Sequence, residues 1–244
     1  MPKIISHPKT QLFLVSFAIL YLELTLIRFI PAYVRYLGYF TNFILLGAFL
    51  GIGLGCLLTK NKRDWSVWAA PLLLILIILI KLFRFEVQIT TTQAVFFQSN
   101  RDQGAIESFL LIPASFILIT FVFTALAQRL GRLLSRFPPL TGYFLDITGS
   151  LMGIALFTLG SYLYLPPLIW FGIFGILLIL ISGFGKRVLI LNTLCIISIL
   201  LLISGLDDLP LFWSPYQKIS VYSVSNPKAE KNLPYDHWRL YVNN

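Results

Sequence analysis

Apolar residues in this chain run almost unbroken for about twenty positions at a time, and polar residues collect in the gaps between the runs. At a helical rise of about 1.5 Å per residue, a run of that length crosses a hydrocarbon layer roughly 30 Å thick. Seven runs are predicted as membrane-spanning helices: 11–30, 39–59, 66–83, 106–128, 142–163, 165–183 and 188–204. Pro166 and Pro167 separate the fifth from the sixth, because a proline pair can start a helix but not continue one. The pattern therefore predicts an all-α polytopic membrane domain over residues 1–205. From 206 to 244 the chain turns polar and proline-bearing, and Lys218–Val224 alternates as a strand does. That tail is too short for a core of its own. A second alternating stretch, 85–90, is expected to form a strand or an interfacial segment between the third and fourth spans.

Composition agrees with the pattern: 57% of the 244 residues are hydrophobic and only 12% are charged, so a soluble fold with a polar shell is excluded. The net charge of +9 sits in short inter-span runs rather than on one face, which argues for anionic lipid and against nucleic acid. Lys3, Lys9, Lys60, Lys62, Arg63, Arg129, Arg132, Arg136, Lys186 and Arg187 fall in one set of alternate loops. Arg35, Lys81, Arg84 and Arg101 fall in the other. The bias predicts a cytoplasmic amino terminus in the plasma (inner) membrane, and seven spans then place the tail outside. Trp65, Trp68 and Trp213 are expected as interfacial anchors. Cys56 and Cys195 lie in apolar runs and read as packing residues.

Gly47, Gly51 and Gly55 recur at spacing four in the second span, and Gly149 and Gly153 do so in the fifth. Such stripes let neighbouring helices approach closely. Tyr39-Phe40-Thr41-Asn42 and Tyr143-Phe144-Leu145-Asp146 each precede a stripe, on opposite sides of the membrane, as two inverted three-span units plus one extra helix would require.

Two spans carry an acid that hydrophobicity does not explain. An ionisable group within a span costs roughly 2.5 to 3.5 kcal/mol on insertion scales, which makes Glu23 and Asp146, together with Asn42, the candidate substrate or ion residues. Asn42 is expected at a depth within reach of Glu23. Arg28, five residues beyond Glu23, is about 140° around the helix and is expected to snorkel to the outer interface. Asp146 is expected to be held by the helix dipole and by Arg129 or Arg132. His7 and His237 have no neighbours at ligand spacing, so no metal or other cofactor is assigned, and no catalytic arrangement is readable.

The segments Tyr21-Leu22-Glu23-Leu24-Thr25-Leu26-Ile27-Arg28, Gly47-Ala48-Phe49-Leu50-Gly51-Ile52-Gly53-Leu54-Gly55 and Tyr143 to Gly153 resemble the membrane domain of bacterial spermidine synthase-like proteins. Trp213-Ser214-Pro215-Tyr216-Gln217-Lys218-Ile219 looks like the approach to the first strands of the synthase-type domain, and Leu240 to Asn244 like its next strand. The resemblance implies that a nucleotide-binding glycine loop and a catalytic acid would lie beyond Asn244. It thus implies a non-catalytic membrane domain that anchors a downstream synthase-like domain and supplies it with substrate. A transporter-like unit moving a polyamine or other cation past Glu23 and Asp146 is one alternative. A structural subunit of a membrane assembly, with the glycine stripes as contact faces, is another.

Overall fold

The computed structural model describes residues 7–34, 41–61, 63–82, 104–181, 185–206, 211–215, 217–224 and 237–242. The predicted segment 85–90 lies outside them. Among the described residues seven α-helices follow in order: α1 (Pro8–Tyr33), α2 (Thr41–Leu57), α3 (Ala69–Leu82), α4 (Gly104–Leu134), α5 (Pro139–Tyr162), α6 (Pro167–Ile181) and α7 (Lys186–Ser204). Six of the helical segments are long and apolar enough to cross a membrane, the third counting a 3₁₀ turn, Trp65–Trp68, that leads into α3. With 15 residues α6 is shorter, about 22 Å by helix rise. The chain is a multi-pass helical membrane protein. Between α5 and α6 the chain turns through Tyr164, whose φ of 58° is left-handed. The amide of Leu165 returns to the carbonyl of Gly160, and that of Tyr164 to Ser161, as in a Schellman cap.

Three short strands follow: β1 (Leu211–Trp213), β2 (Lys218–Val224) and β3 (His237–Val242), paired antiparallel in the order β1-β2-β3. The predicted strand at Lys218–Val224 is there, and the one predicted from Leu240 begins earlier, at His237.

The helices lie alternately up and down. Gln11, near the start of α1, meets Leu180 at the end of α6 and Arg129 near the end of α4. Arg28, near the other end of α1, meets Trp170 near the start of α6 and the β1–β2 turn. The grouping of the basic loops deduced from charge therefore holds for the described residues, with Lys9, Lys60, Arg63, Arg129, Arg132 and Lys186 at one end. There Gln128, fully buried, ties down the α2–α3 connection: its Nε2 donates to the carbonyls of Leu58 (2.9 Å) and Arg63 (3.1 Å), and its Oε1 accepts from the amide of Trp65 (2.8 Å). Arg132 adds bonds to the carbonyls of Thr59, Asn61 and Arg63 and a salt bridge to Asp64.

Helix packing repeats with inverted polarity. The α1–α5 interface has its counterpart in α4–α2, α1–α6 in α4–α3, and α6–α7 in α3–α7, while α1 and α4 touch each other directly. Each relation follows when α1, α2 and α3 are exchanged for α4, α5 and α6. Two inverted three-helix units plus one helix describe the fold. The two largest interfaces are the glycine-striped ones. A Cβ built on Gly55 would lie 2.6 Å from Cβ of Ala127 and 2.7 Å from the carbonyl oxygen of Thr124. On Gly149 and Gly153 it would lie 2.5 and 2.6 Å from the carbonyl oxygens of Phe13 and Phe17. Gly47 meets Ile119 more loosely, at 3.2 Å. All five stripe glycines are thus occupied within the chain, so these stripes do not remain as faces for another subunit.

Candidate functional site

Polar side chains inside the bundle gather at two places along α1. The first is a cluster at the end of the bundle where the tail arrives. Phe29, Tyr33, Phe157, Trp170, Phe171 and Trp213 form one connected aromatic group, with Trp170 and Trp213 edge to face at 5.1 Å. Into it points the guanidinium of Arg28, 4.7 Å from the centre of the Trp170 ring and 5.8 Å from that of Trp213. Its Nη2 donates to the carbonyl oxygen of Ser214. The β1–β2 turn closes on itself, with the amide of Ser214 donating to the Gln217 carbonyl and the amide of Gln217 to the Ser214 hydroxyl. The hydroxyl of Ser161, in the last turn of α5, donates to the carbonyl of Pro215 at 3.2 Å. Lys218 is buried with its ammonium 4.1 Å from the Tyr33 ring centre. Desolvated cation–aromatic contacts of this kind contribute about 2 kcal/mol each. The sheet is clamped to the bundle.

Two expectations are corrected here. Arg28 does not snorkel outward: it turns in because two indole faces and a backbone carbonyl take the charge that lipid could not. Trp213 is not an interfacial anchor, being only 5% exposed within the aromatic group. Trp68, by contrast, is exposed and Trp65 half-buried.

The second place is the interior of the membrane domain. Glu23 is 2% exposed, and its Oε2 has no hydrogen-bond partner. Asn42 does not supply one, being exposed. Asn42 precedes Gly47 by five residues, about 140° around α2, so turning the glycine stripe onto α4 turns Asn42 away from it. Asp146 is half-buried and accepts a 2.6 Å hydrogen bond from Ser16. The same hydroxyl lies 3.1 Å from the Leu12 carbonyl, but its single proton serves the shorter contact better. Neither arginine holds Asp146, because Arg129 donates to Gln11 (3.1 Å) and Arg132 is taken up by the α2–α3 connection. Replacing Ser16 by alanine should cost about 1 kcal/mol, since Asp146 retains partial access to solvent. A thermal unfolding midpoint in detergent lowered by only a few degrees would bear this out.

Cys56 is exposed and Cys195 packs inside, both as free thiols. No group of three or more His, Cys, Asp or Glu side chains among the described residues could hold a metal ion. The residues that sequence reasoning missed are Ser16, Gln128 and Trp170. Gln128 carried a readable signal, a long polar side chain where a span ends. Trp170 carried none, since a tryptophan at a span terminus is ordinarily an interfacial anchor. No known protein family, characterised protein or solved structure matches this chain.

Proposed function

We propose that this chain is the non-catalytic membrane domain of a spermidine synthase-like protein, and that its bundle holds the sheet-forming tail in a fixed orientation for a downstream synthase-like domain. One observation carries the reading: Arg28, Trp170 and Trp213 lock the β1–β2 turn to the ends of α1, α5 and α6. A loose tether would need none of these contacts. Catalysis is assigned to residues outside this chain, and supply of a substrate to them is a role the bundle would add.

The clamp is testable in native membranes. Cysteines placed at Ser161 and Pro215 should cross-link in the full chain, and Arg28→Leu should reduce the yield about tenfold, the fold-change for roughly 1.4 kcal/mol. Cross-linking indifferent to Arg28 would sink the clamp. Incubation of the chain with decarboxylated S-adenosylmethionine and putrescine should yield no aminopropyl transfer, and product would overturn the non-catalytic assignment.

The distribution of Lys and Arg supports a cytoplasmic position for the basic end, in the plasma (inner) membrane. That reading puts the tail on the outer side, since it docks beside Arg28, at the end of the bundle away from Gln11. A topology reporter fused after Val224 should read outside; a cytoplasmic signal would reverse the orientation.

A further inference from the structure

We infer that Glu23, buried midway along α1, is a reversible proton-binding site, one that exchanges its proton for a monovalent cation. The side chain is almost wholly buried and Oε2 has no partner. Among the described residues no salt bridge to Glu23 is found. Arg28 is rotated about 140° from Glu23 on α1 and is held by the tail. An unpaired carboxylate in such surroundings costs several kcal/mol, so in the closed bundle the acid carries its proton.

Its place in the fold gives this consequence. The hydrogen bond between Arg129 and Gln11 brings α1 and α4 level at one end. From there Glu23 is twelve residues along α1, about 18 Å, and Thr120 nine residues along α4, about 13.5 Å. Thr120 Oγ1 is a second buried oxygen without a partner. The two helices that exchange places between the units, and that touch each other, therefore each carry an unsatisfied oxygen at similar depth. Transporters built of inverted units place their coupling ions at that depth, between the repeats.

A route is also marked. Ser16 precedes Glu23 by seven residues, about 20° apart on the same face of α1, and holds the half-buried Asp146 near the end where α1 begins. The exchange balances simply. The carboxyl O–H gives its proton to water admitted along this face, and the carboxylate left behind takes one monovalent cation in its place.

Dicyclohexylcarbodiimide, which adds to protonated carboxyls in apolar surroundings, is the probe. Applied to the full chain in native membranes and read by peptide mass spectrometry, it should modify Glu23. Modification should fall about tenfold per pH unit once the acid titrates. It should also fall when sodium or potassium chloride replaces choline chloride at constant pH. In liposomes loaded with a pH-sensitive dye, a sodium or potassium gradient should drive proton flux through the wild-type chain and not through E23Q. Modification of Glu23 independent of pH and of cation would make it a fixed structural lock and overturn the proposal. So would modification of Asp146 with Glu23 untouched.

Discussion

Gly51→Leu is expected to abolish the folded bundle, because the α2–α4 interface has no room for a side chain at that position. A Cβ there would press on the carbonyl oxygen of Thr120 and come within 2.8 Å of Cβ of Phe123 and 3.1 Å of the amide nitrogen of Thr124. Two of those three atoms are backbone and cannot rotate away. Overpacking ordinarily costs 1 to 3 kcal/mol, and a leucine driving two helix backbones apart should exceed about 3 kcal/mol. Fluorescence size-exclusion chromatography of a tagged chain should show loss of the monodisperse peak. Gly53→Leu is the control, since nothing lies within 4 Å of its built Cβ. Equal peaks from the two variants would mean that the stripe is not what holds α2 to α4.

Trp213→Ala is expected to release the tail while leaving the helices assembled. Truncating a buried tryptophan costs about 3 to 5 kcal/mol. Here it also removes the ring that faces Trp170 and one of the two indoles that accept Arg28. A loss of that size raises the undocked population by a factor of roughly 10² to 4 × 10³. Limited proteolysis of the segment between α7 and β2 should accelerate correspondingly, with cleavage inside the helical domain unchanged. A protease pattern identical to wild type would show that the hairpin is held by something other than its tryptophan. Phe212 is exposed beside it, and Phe212→Ala should leave the tail docked.

These outcomes bear on how much of the architecture could be read from the residues alone. The helices were legible because lipid imposes one rule on every span, a run of apolar residues of bilayer length, and no tertiary detail can override it. Inverted units were legible for a related reason: Gly47, Gly51 and Gly55 against Gly149 and Gly153 mark the same close helix approach twice, once in each direction. The tail's strands followed from β-branched alternation at Lys218–Val224. What stayed hidden is rotation. Depth along a helix comes from counting residues, but the direction a side chain faces depends on which neighbour the helix packs against. Asn42 has the right depth for Glu23 and the wrong direction. Asp146 lies near the correct arginines in sequence, yet a serine on α1 reaches it first. Arg28 and Trp213 are 185 positions apart, and nothing local in either segment marks them as partners.

The seventh helix sits outside the exchange that relates the two halves, yet it packs on α3 of one and α6 of the other. Gly175 of α6 is closed over by Ile196 of α7, where a Cβ would lie 2.6 Å from the isoleucine methyl, so that contact is tight. A common neighbour of this kind acts as a crossbar. The two halves are thereby joined through one shared helix as well as through their direct contacts.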